Sequence, residues 1–156
     1  MRRQTPHRAR HPGAPLQRAA ELRYYGAMSG GSPRILIVDD FDDSREMMAE
    51  FLRISGFFVL EASDGKEAVD RATSDLPDVV VMDLTLPVMD GWEATRRLKA
   101  DPRTQHIPVV ALSGHSSGHG DDALAAGCVA LLTKPCMPDV LEAKLRELLA
   151  GRSTAT

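Results

Sequence analysis

Five polar residues that could do chemistry each follow or close a short apolar stretch of the sequence: Asp39, Asp40, Asp83, Ser113 and Lys134. Three are carboxylates, and carboxylates brought within a few ångströms of one another repel unless a counter-charge is present. A hard cation is the natural counter-charge, because Mg²⁺ takes oxygen ligands, often one or two carboxylates, and keeps several waters. Carboxylates, a hydroxyl and an ammonium group around such an ion suit phosphoryl transfer.

The side chains could have distinct roles in phosphoryl transfer. Asp83 could act as a nucleophile and form an aspartyl phosphate, and Ser113 could donate a hydrogen bond to the new phosphoryl group. Gly114 would let backbone N–H groups approach the same oxygens. The alternative is that each aspartate only caps the following helix. That alternative accounts for Asp83 taken alone, but it does not account for the whole set.

The elements that must position these residues alternate along the chain. Short β-branched apolar runs are typical of strands buried on both faces, and they predict strands at residues 35–38, 57–60, 79–82, 109–112 and 129–132. Helical spacing predicts helices between them and a last helix at residues 137–149. This alternation predicts an α/β fold, a doubly wound five-stranded parallel sheet. The carboxyl ends of its strands share one edge, where the five polar residues would meet.

Local sequence patterns predict where two of the helices begin or end and which helix side chains face the core. Asp64 and Glu67 are spaced like a capping box at the start of the second helix, and Gly127 occupies the C′ position of the fourth. Met47 and Met48 lie on an apolar stripe of the first helix and are predicted to be core residues. The stripe of the last helix comprises Val140, Leu141, Leu145, Leu148 and Leu149.

Composition excludes several classes of protein. The 156 residues are 43% apolar and 26% charged, which excludes a wholly disordered chain. Aromatic residues make up only 4%, which argues against a surface built to stack bases. Two cysteines are too few for a disulfide scaffold, so a reducing cytoplasm is the expected location. No apolar run reaches the roughly 18 residues of a membrane helix.

The first 32 residues differ from the rest in charge. They carry six arginines against one glutamate, a net charge of +5, whereas residues 33–156 carry 13 basic and 21 acidic side chains, a net charge of −8. Prolines and the run Ser29-Gly30-Gly31-Ser32 predict a disordered extension and linker. Three interpretations stay open: a solvated tail without function, translation that starts at Met28, and a basic arm for nucleic acid, anionic lipid or an acidic partner.

Four motifs at these separations resemble the receiver domain of bacterial two-component response regulators. They are residues 35–40, 83–91, 111–113 and 132–135. The resemblance covers residues 33–150 and leaves residues 151–156 as a short C-terminal tail. It implies a flavodoxin-like (βα)₅ fold with strand order 2-1-3-4-5. It also implies that Pro87 and Gly91 shape the loop after the phosphoacceptor, and that the Lys134–Pro135 bond is cis, as in many relatives.

The resemblance further implies a role for each site residue. Asp83 is the implied phosphoacceptor, and Lys134 is the implied phosphate-binding lysine. Asp40 is implied to bind Mg²⁺ directly, and Asp39 either directly or through a metal-bound water. Asp83 itself and the backbone carbonyl of Thr85 complete the implied ligands.

Two further residues correspond to the conformational switch of the family. Ser113 occupies the position of the switch hydroxyl. Leu131 stands three residues before Lys134, where the family usually carries Tyr or Phe. Leucine has no hydroxyl to hydrogen-bond, so the phosphorylation chemistry is expected to survive while the usual aromatic read-out is in question.

The implied function is that of a single-domain response regulator, a phosphoacceptor and not a classical enzyme. A histidine kinase or histidine phosphotransfer protein is the expected donor, and with no room for an effector domain after Ala150 the output is expected to be a protein partner. A monomer is expected, with a dimer left open, and no membrane partner. Two alternatives stay open: an Mg²⁺-dependent phosphatase using Asp40 and Asp42, and an interaction module independent of phosphorylation, which Leu131 keeps open.

Overall fold

The computed structural model describes residues 31–114 and 119–153 of the chain. The predicted disordered extension and the glycine-rich stretch after Gly114 therefore lie largely outside the described residues. The strands are β1 Arg34–Val38, β2 Phe58–Ala62, β3 Val79–Asp83, β4 Val109–Ser113 and β5 Ala130–Thr133. The helices are α1 Asp42–Ile54, α2 Gly65–Asp75, α3 Gly91–Ala100, α4 His119–Ala126 and α5 Pro138–Ser153.

The five strands form one parallel sheet in the order β2-β1-β3-β4-β5. This confirms the predicted doubly wound α/β architecture and its strand order. Strand β1 lies between β2 and β3, so the chain reverses its winding direction next to β1. Ligand sites of such sheets lie at that reversal, outside the carboxyl ends of the strands.

The core has two layers, one on each face of the sheet. Because successive side chains of a strand point to opposite faces, Leu36 and Val38 face α2, α3 and α4, while Ile35 and Ile37 face α1 and α5. All four of these β1 side chains are buried. Burial on both faces explains why the inner strands β1, β3 and β4 read as continuous apolar runs and not as alternating ones.

Two aspartates cap the starts of helices: Asp64, as the sequence predicts, and Asp90, for which no prediction was made. The side chain of Asp64 accepts a hydrogen bond from the Glu67 N–H at 2.8 Å, and Asp90 does the same for Glu93 at 2.8 Å. The reciprocal bond of the predicted capping box is displaced by one residue, since Glu67 Oε2 accepts from the backbone N–H of Ser63 at 2.9 Å. Both arrangements satisfy N–H groups that a helix start leaves without partners.

Some local predictions are wrong. Met47 is 58% exposed although its neighbour Met48 is buried, and Val140 is exposed while Leu141 is buried. Adjacent helix residues differ by about 100° around the axis, and each of these pairs lies across the edge of the buried face of its helix, with one residue inside and one outside. Helix α5 also runs to Ser153, four residues past the predicted end of the last helix at residue 149.

None of the helices in the described part of the chain is long and apolar enough to cross a membrane.

Candidate functional site

Three carboxylates meet where β1 and β3 end. Asp39 and Asp40 follow β1, and Asp83 is the last residue of β3, its neighbour in the sheet. One oxygen from each of the three lies within 4.8 Å of the others. Asp39 is 4% exposed and Asp83 is 5% exposed, whereas Asp40 is open to solvent. The sheet topology therefore brings together the three acidic residues that the sequence singles out.

Local turns fix the two buried carboxylates. Asp39 Oδ1 accepts a hydrogen bond from the Phe41 N–H at 2.9 Å, and Asp83 Oδ1 accepts one from the Thr85 N–H at 3.0 Å. Such bonds two residues ahead are how aspartate initiates a turn. In each residue the turn occupies one carboxylate oxygen and leaves Oδ2 directed to the other residues of the site.

Lys134 joins those two free oxygens. Its Nζ lies 3.1 Å from Asp39 Oδ2 and 2.7 Å from Asp83 Oδ2. Its backbone N–H donates to the Ser113 carbonyl at 2.7 Å, and the Lys134–Pro135 bond is cis, as the resemblance implies. The ammonium group therefore bridges the neighbouring strand ends from the β5 side of the sheet.

Burial and charge act in opposite directions on these groups. Burial raises the pKa of the Asp83 carboxyl, although the hydrogen bonds from Lys134 and Thr85 offset part of that rise. Burial alone would lower the pKa of Lys134, but the bonds and charges of Asp83 and Asp39 outweigh it and raise that pKa. The lysine is therefore a permanent cation between carboxylates whose mutual repulsion calls for more positive charge.

The donor set fits Mg²⁺. Asp39, Asp40 and Asp83 offer only carboxylate oxygens, and the exposed Asp40 leaves one side of the cluster open to water. Hard cations prefer oxygen ligands, and Mg²⁺ keeps several waters alongside one or two carboxylates. The fourth predicted ligand, the carbonyl of Thr85, belongs to an exposed residue whose N–H is bonded to Asp83. Its role as a ligand stays a prediction.

The two predicted switch residues lie on the strands beyond the carboxylates. Ser113 is buried at the end of β4, next to Leu112, which is in register with Asp83. Leu131, on β5, is in register with Ala111 of β4 and packs, partly buried, against the core layer that contains α4. Its Cδ2 would be 3.6 Å from a β-carbon at Gly120, so the start of α4 lies against it.

The loop after Asp83 is held by a close backbone approach. A β-carbon on Gly91 would lie 2.2 Å from the Asp83 carbonyl oxygen and 2.8 Å from Leu84 Cα. The Gly91 N–H donates to the Leu84 carbonyl at 3.0 Å. Only glycine fits there, which agrees with the loop-shaping role that the resemblance implies for this residue.

One residue of the site has no counterpart among the predictions. Arg45 on α1 donates from Nη1 to the Asp39 carbonyl at 2.8 Å, and its side chain is only 13% exposed. The sequence shows Arg45 three residues after Asp42, a spacing that predicts a helical ion pair, and the structure contains that pair at 2.7 Å. Sequence spacing carries no signal for the backbone contact.

A pocket opens between α1 and the turn that follows β5. It has a volume of about 390 Å³, and its lining includes Asp39, Arg45, Met48, Lys134 and Cys136. Of the three clustered carboxylates, the pocket therefore adjoins Asp39, beside Lys134.

Comparison with known proteins agrees with this geometry. The family model of the response regulator receiver domain matches residues 35–146, which is most of the chain. The chain belongs to the response regulator receiver domain family. As a receiver domain it is 40% identical over 119 residues to the response regulator PleD of Caulobacter vibrioides, covering 75% of this chain and 26% of PleD. It therefore spans about a quarter of that relative's length.

This chain covers a larger share of the length of two further relatives. The polar-differentiation response regulator DivK of Brucella anthropi is 32% identical over 102 residues, covering 65% of this chain and 83% of DivK. The receiver domain of the sensor histidine kinase PA1611 of Pseudomonas aeruginosa is 30% identical with a TM-score of 0.72, covering 77% of this chain and 99% of that one. That structure is described with a magnesium ion coordinated in its active site cleft.

The phosphatase alternative depends on Asp42, which lies outside the carboxylate cluster and is paired with Arg45. Asp42, the residue that it requires two positions after Asp40, accepts from Arg45 Nη2 at 2.7 Å and is exposed on α1. Within residues 31–114 and 119–153, the grouped carboxylates are Asp39, Asp40 and Asp83, without Asp42.

Proposed function

We propose that the chain is a phosphoacceptor protein of a two-component pathway, phosphorylated on Asp83 by a histidine kinase or a histidine phosphotransfer protein. The observation that supports this most strongly is the position of Lys134, whose ammonium group contacts both Asp39 Oδ2 and Asp83 Oδ2. A cation so placed binds the acceptor before reaction and is within reach of a phosphoryl group on it afterwards. Membership of the receiver family supports the same proposal.

In the proposed reaction an oxygen of the Asp83 carboxylate attacks the phosphorus of a phosphohistidine. The P–N bond breaks, and the donor imidazole leaves with that electron pair as a neutral ring, provided that its other nitrogen is already protonated. Lys134 Nζ exchanges its bond with the acceptor for one with a phosphoryl oxygen. The turn bond from the Thr85 N–H keeps the acceptor carboxylate oriented throughout.

Asp39, Asp40 and Asp83, with the Thr85 carbonyl, are the residues that would hold Mg²⁺. When bound, the ion supplies positive charge that offsets the charge of the phosphoryl group. Asp39 and Asp83 are held by their turns before any ligand arrives, so little reorganisation is required. The exposed carboxylate of Asp40 is the one able to adjust to the ion.

Signalling follows from the charge that the reaction adds. A phosphoryl group brings about −1.5 to −2 charge to a buried strand end. The Ser113 hydroxyl, on the neighbouring strand, would turn to donate to it, and Leu131 would change rotamer as the start of α4 moves. The group thereby biases an equilibrium between two conformations. A protein partner would bind the surface formed by α4, β5 and α5. We further propose that the protein is cytoplasmic and that its receiver domain begins near residue 33.

Incubation with Mg²⁺ and acetyl phosphate, followed by intact mass measurement, tests the proposal. The wild-type protein should gain one phosphoryl group, and Asp83→Asn should gain none. Asp121→Asn, which changes an exposed carboxylate of α4, should react like the wild type, and chelation of Mg²⁺ should abolish the reaction.

Two results would contradict the proposal. Equal phosphorylation of Asp83→Asn and the wild type would place the acceptor elsewhere. A folded wild-type protein that gains no phosphoryl group from acetyl phosphate or from a phosphorylated histidine phosphotransfer protein would favour an interaction module that works without phosphorylation.

A further inference from the structure

The guanidinium group of Arg45 connects three segments of the chain. Nη1 donates to the Asp39 carbonyl at 2.8 Å, Nη2 to Asp42 Oδ1 at 2.7 Å, and Nε to Glu61 Oε1 at 3.3 Å. The three acceptors belong to the end of β1, the first turn of α1 and the edge strand β2. A planar group with donors in a fixed fork can satisfy several such acceptors at once, whereas a lysine is a single point charge.

Four hydrogen bonds hold Asp39 in place. Its N–H donates to the Ala62 carbonyl at 3.2 Å, and its Oδ1 accepts from Phe41 at 2.9 Å. Its Oδ2 accepts from Lys134 at 3.1 Å, and its carbonyl accepts from Arg45. The Ala62 contact ties Asp39 to β2, and the contact from Arg45 ties it to the helix that follows as well as, through Glu61, to β2.

Glu61, the β2 residue that Arg45 contacts, has a second hydrogen-bond partner. Glu61 Oε2 accepts from Arg53 Nη2 at 2.9 Å, so Glu61 lies between two arginines on α1. Arg53 contacts Glu61 and the Val59 carbonyl but makes no bond to Asp39. The chain therefore contains its own matched control: two arginines on one helix share one acceptor, and only one of them reaches the site.

We propose that Arg45 is a positioning residue for the acidic cluster, setting the place of Asp39 and Asp40 by clamping the Asp39 carbonyl to Asp42 and to Glu61 on β2. The inference rests on the proposed function, because it concerns how the chain presents its carboxylates to Mg²⁺. Partners of this kind, one bond removed from a metal ligand, typically change metal affinity 10- to 100-fold when removed.

The direction of the change in Mg²⁺ affinity distinguishes the loss of a positioning contact from the loss of a positive charge. Arg45 is a cation near a cation site, so its removal alone would strengthen the binding of Mg²⁺ by relieving repulsion. Weaker binding after Arg45→Gln therefore requires that the carboxylates have lost their placement. Arg45→Lys keeps the charge and loses the fork, which tests the geometry alone.

Mg²⁺ titration of the full chain, followed by the fluorescence of Trp92, its single tryptophan, compares Arg45→Gln, Arg45→Lys and Arg53→Gln with the wild type. We expect the dissociation constant to rise about 10-fold or more for both Arg45 variants and to stay within about 2-fold for Arg53→Gln. At saturating Mg²⁺ the Arg45 variants should approach the wild-type rate of phosphorylation by acetyl phosphate. In Mg²⁺-free buffer, amide hydrogen exchange at Phe41 should be faster in Arg45→Gln than in Arg53→Gln.

The outcomes are decisive in either direction. Mg²⁺ affinities of the Arg45 variants that match that of Arg53→Gln would overturn the inference, even if the Arg45 variants were less stable. A wild-type protein that binds no Mg²⁺ would contradict the proposed function instead. In that case amide hydrogen exchange would test the positioning role of Arg45 by itself. Equal exchange rates at Phe41 in Arg45→Gln and Arg53→Gln would refute that role.

Discussion

Substitution of Gly91 by alanine tests how the phosphoacceptor loop is packed. The new β-carbon would lie 2.2 Å from the Asp83 carbonyl oxygen and 2.8 Å from Leu84 Cα, both backbone atoms that cannot rotate away. The loop must therefore move by about an ångström to restore ordinary contact distances. Because the atom displaced is the carbonyl oxygen of Asp83 itself, the acceptor carboxylate must move with it.

The cost can be worked from these contacts. Overpacking costs about 1–3 kcal/mol, and weakening the 3.0 Å bond from the Gly91 N–H to Leu84 adds about 0.5–1.5 kcal/mol. The better helix propensity of alanine returns at most about 1 kcal/mol. We expect Gly91→Ala to lower the free energy of unfolding by about 2–3 kcal/mol, or the urea midpoint by about 1 M or more.

Gly151→Ala is the matched control, because Gly151 lies in α5 and, among the described residues outside its chain neighbours and its own helix backbone, no atom lies within 4 Å of its would-be β-carbon. It should raise stability by up to about 1 kcal/mol. Urea unfolding measures both variants, and acetyl phosphate labelling should be slowed only in Gly91→Ala. If Gly91→Ala unfolds at the same urea concentration as Gly151→Ala, the close approach of α3 to Asp83 is refuted.

Three further changes have definite expected results. Lys134→Gln leaves the two buried carboxylates without their cation, so the melting temperature should fall in Mg²⁺-free buffer and added Mg²⁺ should restore more stability than in the wild type; equal Mg²⁺ stabilisation would contradict this. Val88 has a φ of 66° and is 79% exposed, so Val88→Gly should relieve backbone strain and, after the entropy cost of glycine, raise stability by up to about 1 kcal/mol in urea unfolding; a loss of stability would show that the side chain has packing partners. Hydrogen bonds from Ser63 lower the pKa of Glu67, so its contribution to stability is present above about pH 4.3 and is lost as the pH falls through the lowered value. The Glu67→Gln protein should lose less stability than the wild type between pH 5 and roughly pH 3, and identical pH profiles would be the contrary result.

Much of the fold could be predicted because the sheet is buried on both faces. Runs such as residues 79–82 have no polar residue to interrupt them, so the strands stand out in the sequence. The carboxyl ends of parallel strands lie at one edge whatever the loops do. The order of strands and polar residues along the chain is therefore enough to predict that Asp39 and Asp83 lie together.

Other features depend on distances that a sequence does not encode. The contact of Arg45 with Glu61 joins residues 16 positions apart, and it exists because α1 packs along β2. The exposure of Met47 next to buried Met48 depends on how α1 is rotated against the sheet. The left-handed φ of Val88 arises in a loop whose ends are fixed elsewhere, and a valine gives no signal for it.

We propose that Asp83 carries the phosphoryl group as an acyl phosphate. Borohydride reduction of protein treated with acetyl phosphate converts an aspartyl phosphate into homoserine, and peptide mass spectrometry then identifies the residue. We predict homoserine at position 83 only, formed when Mg²⁺ is present and absent when it is chelated. Homoserine at position 39 or 40, or a phosphorylated protein that borohydride leaves unchanged at Asp83, would contradict this assignment of the phosphoacceptor.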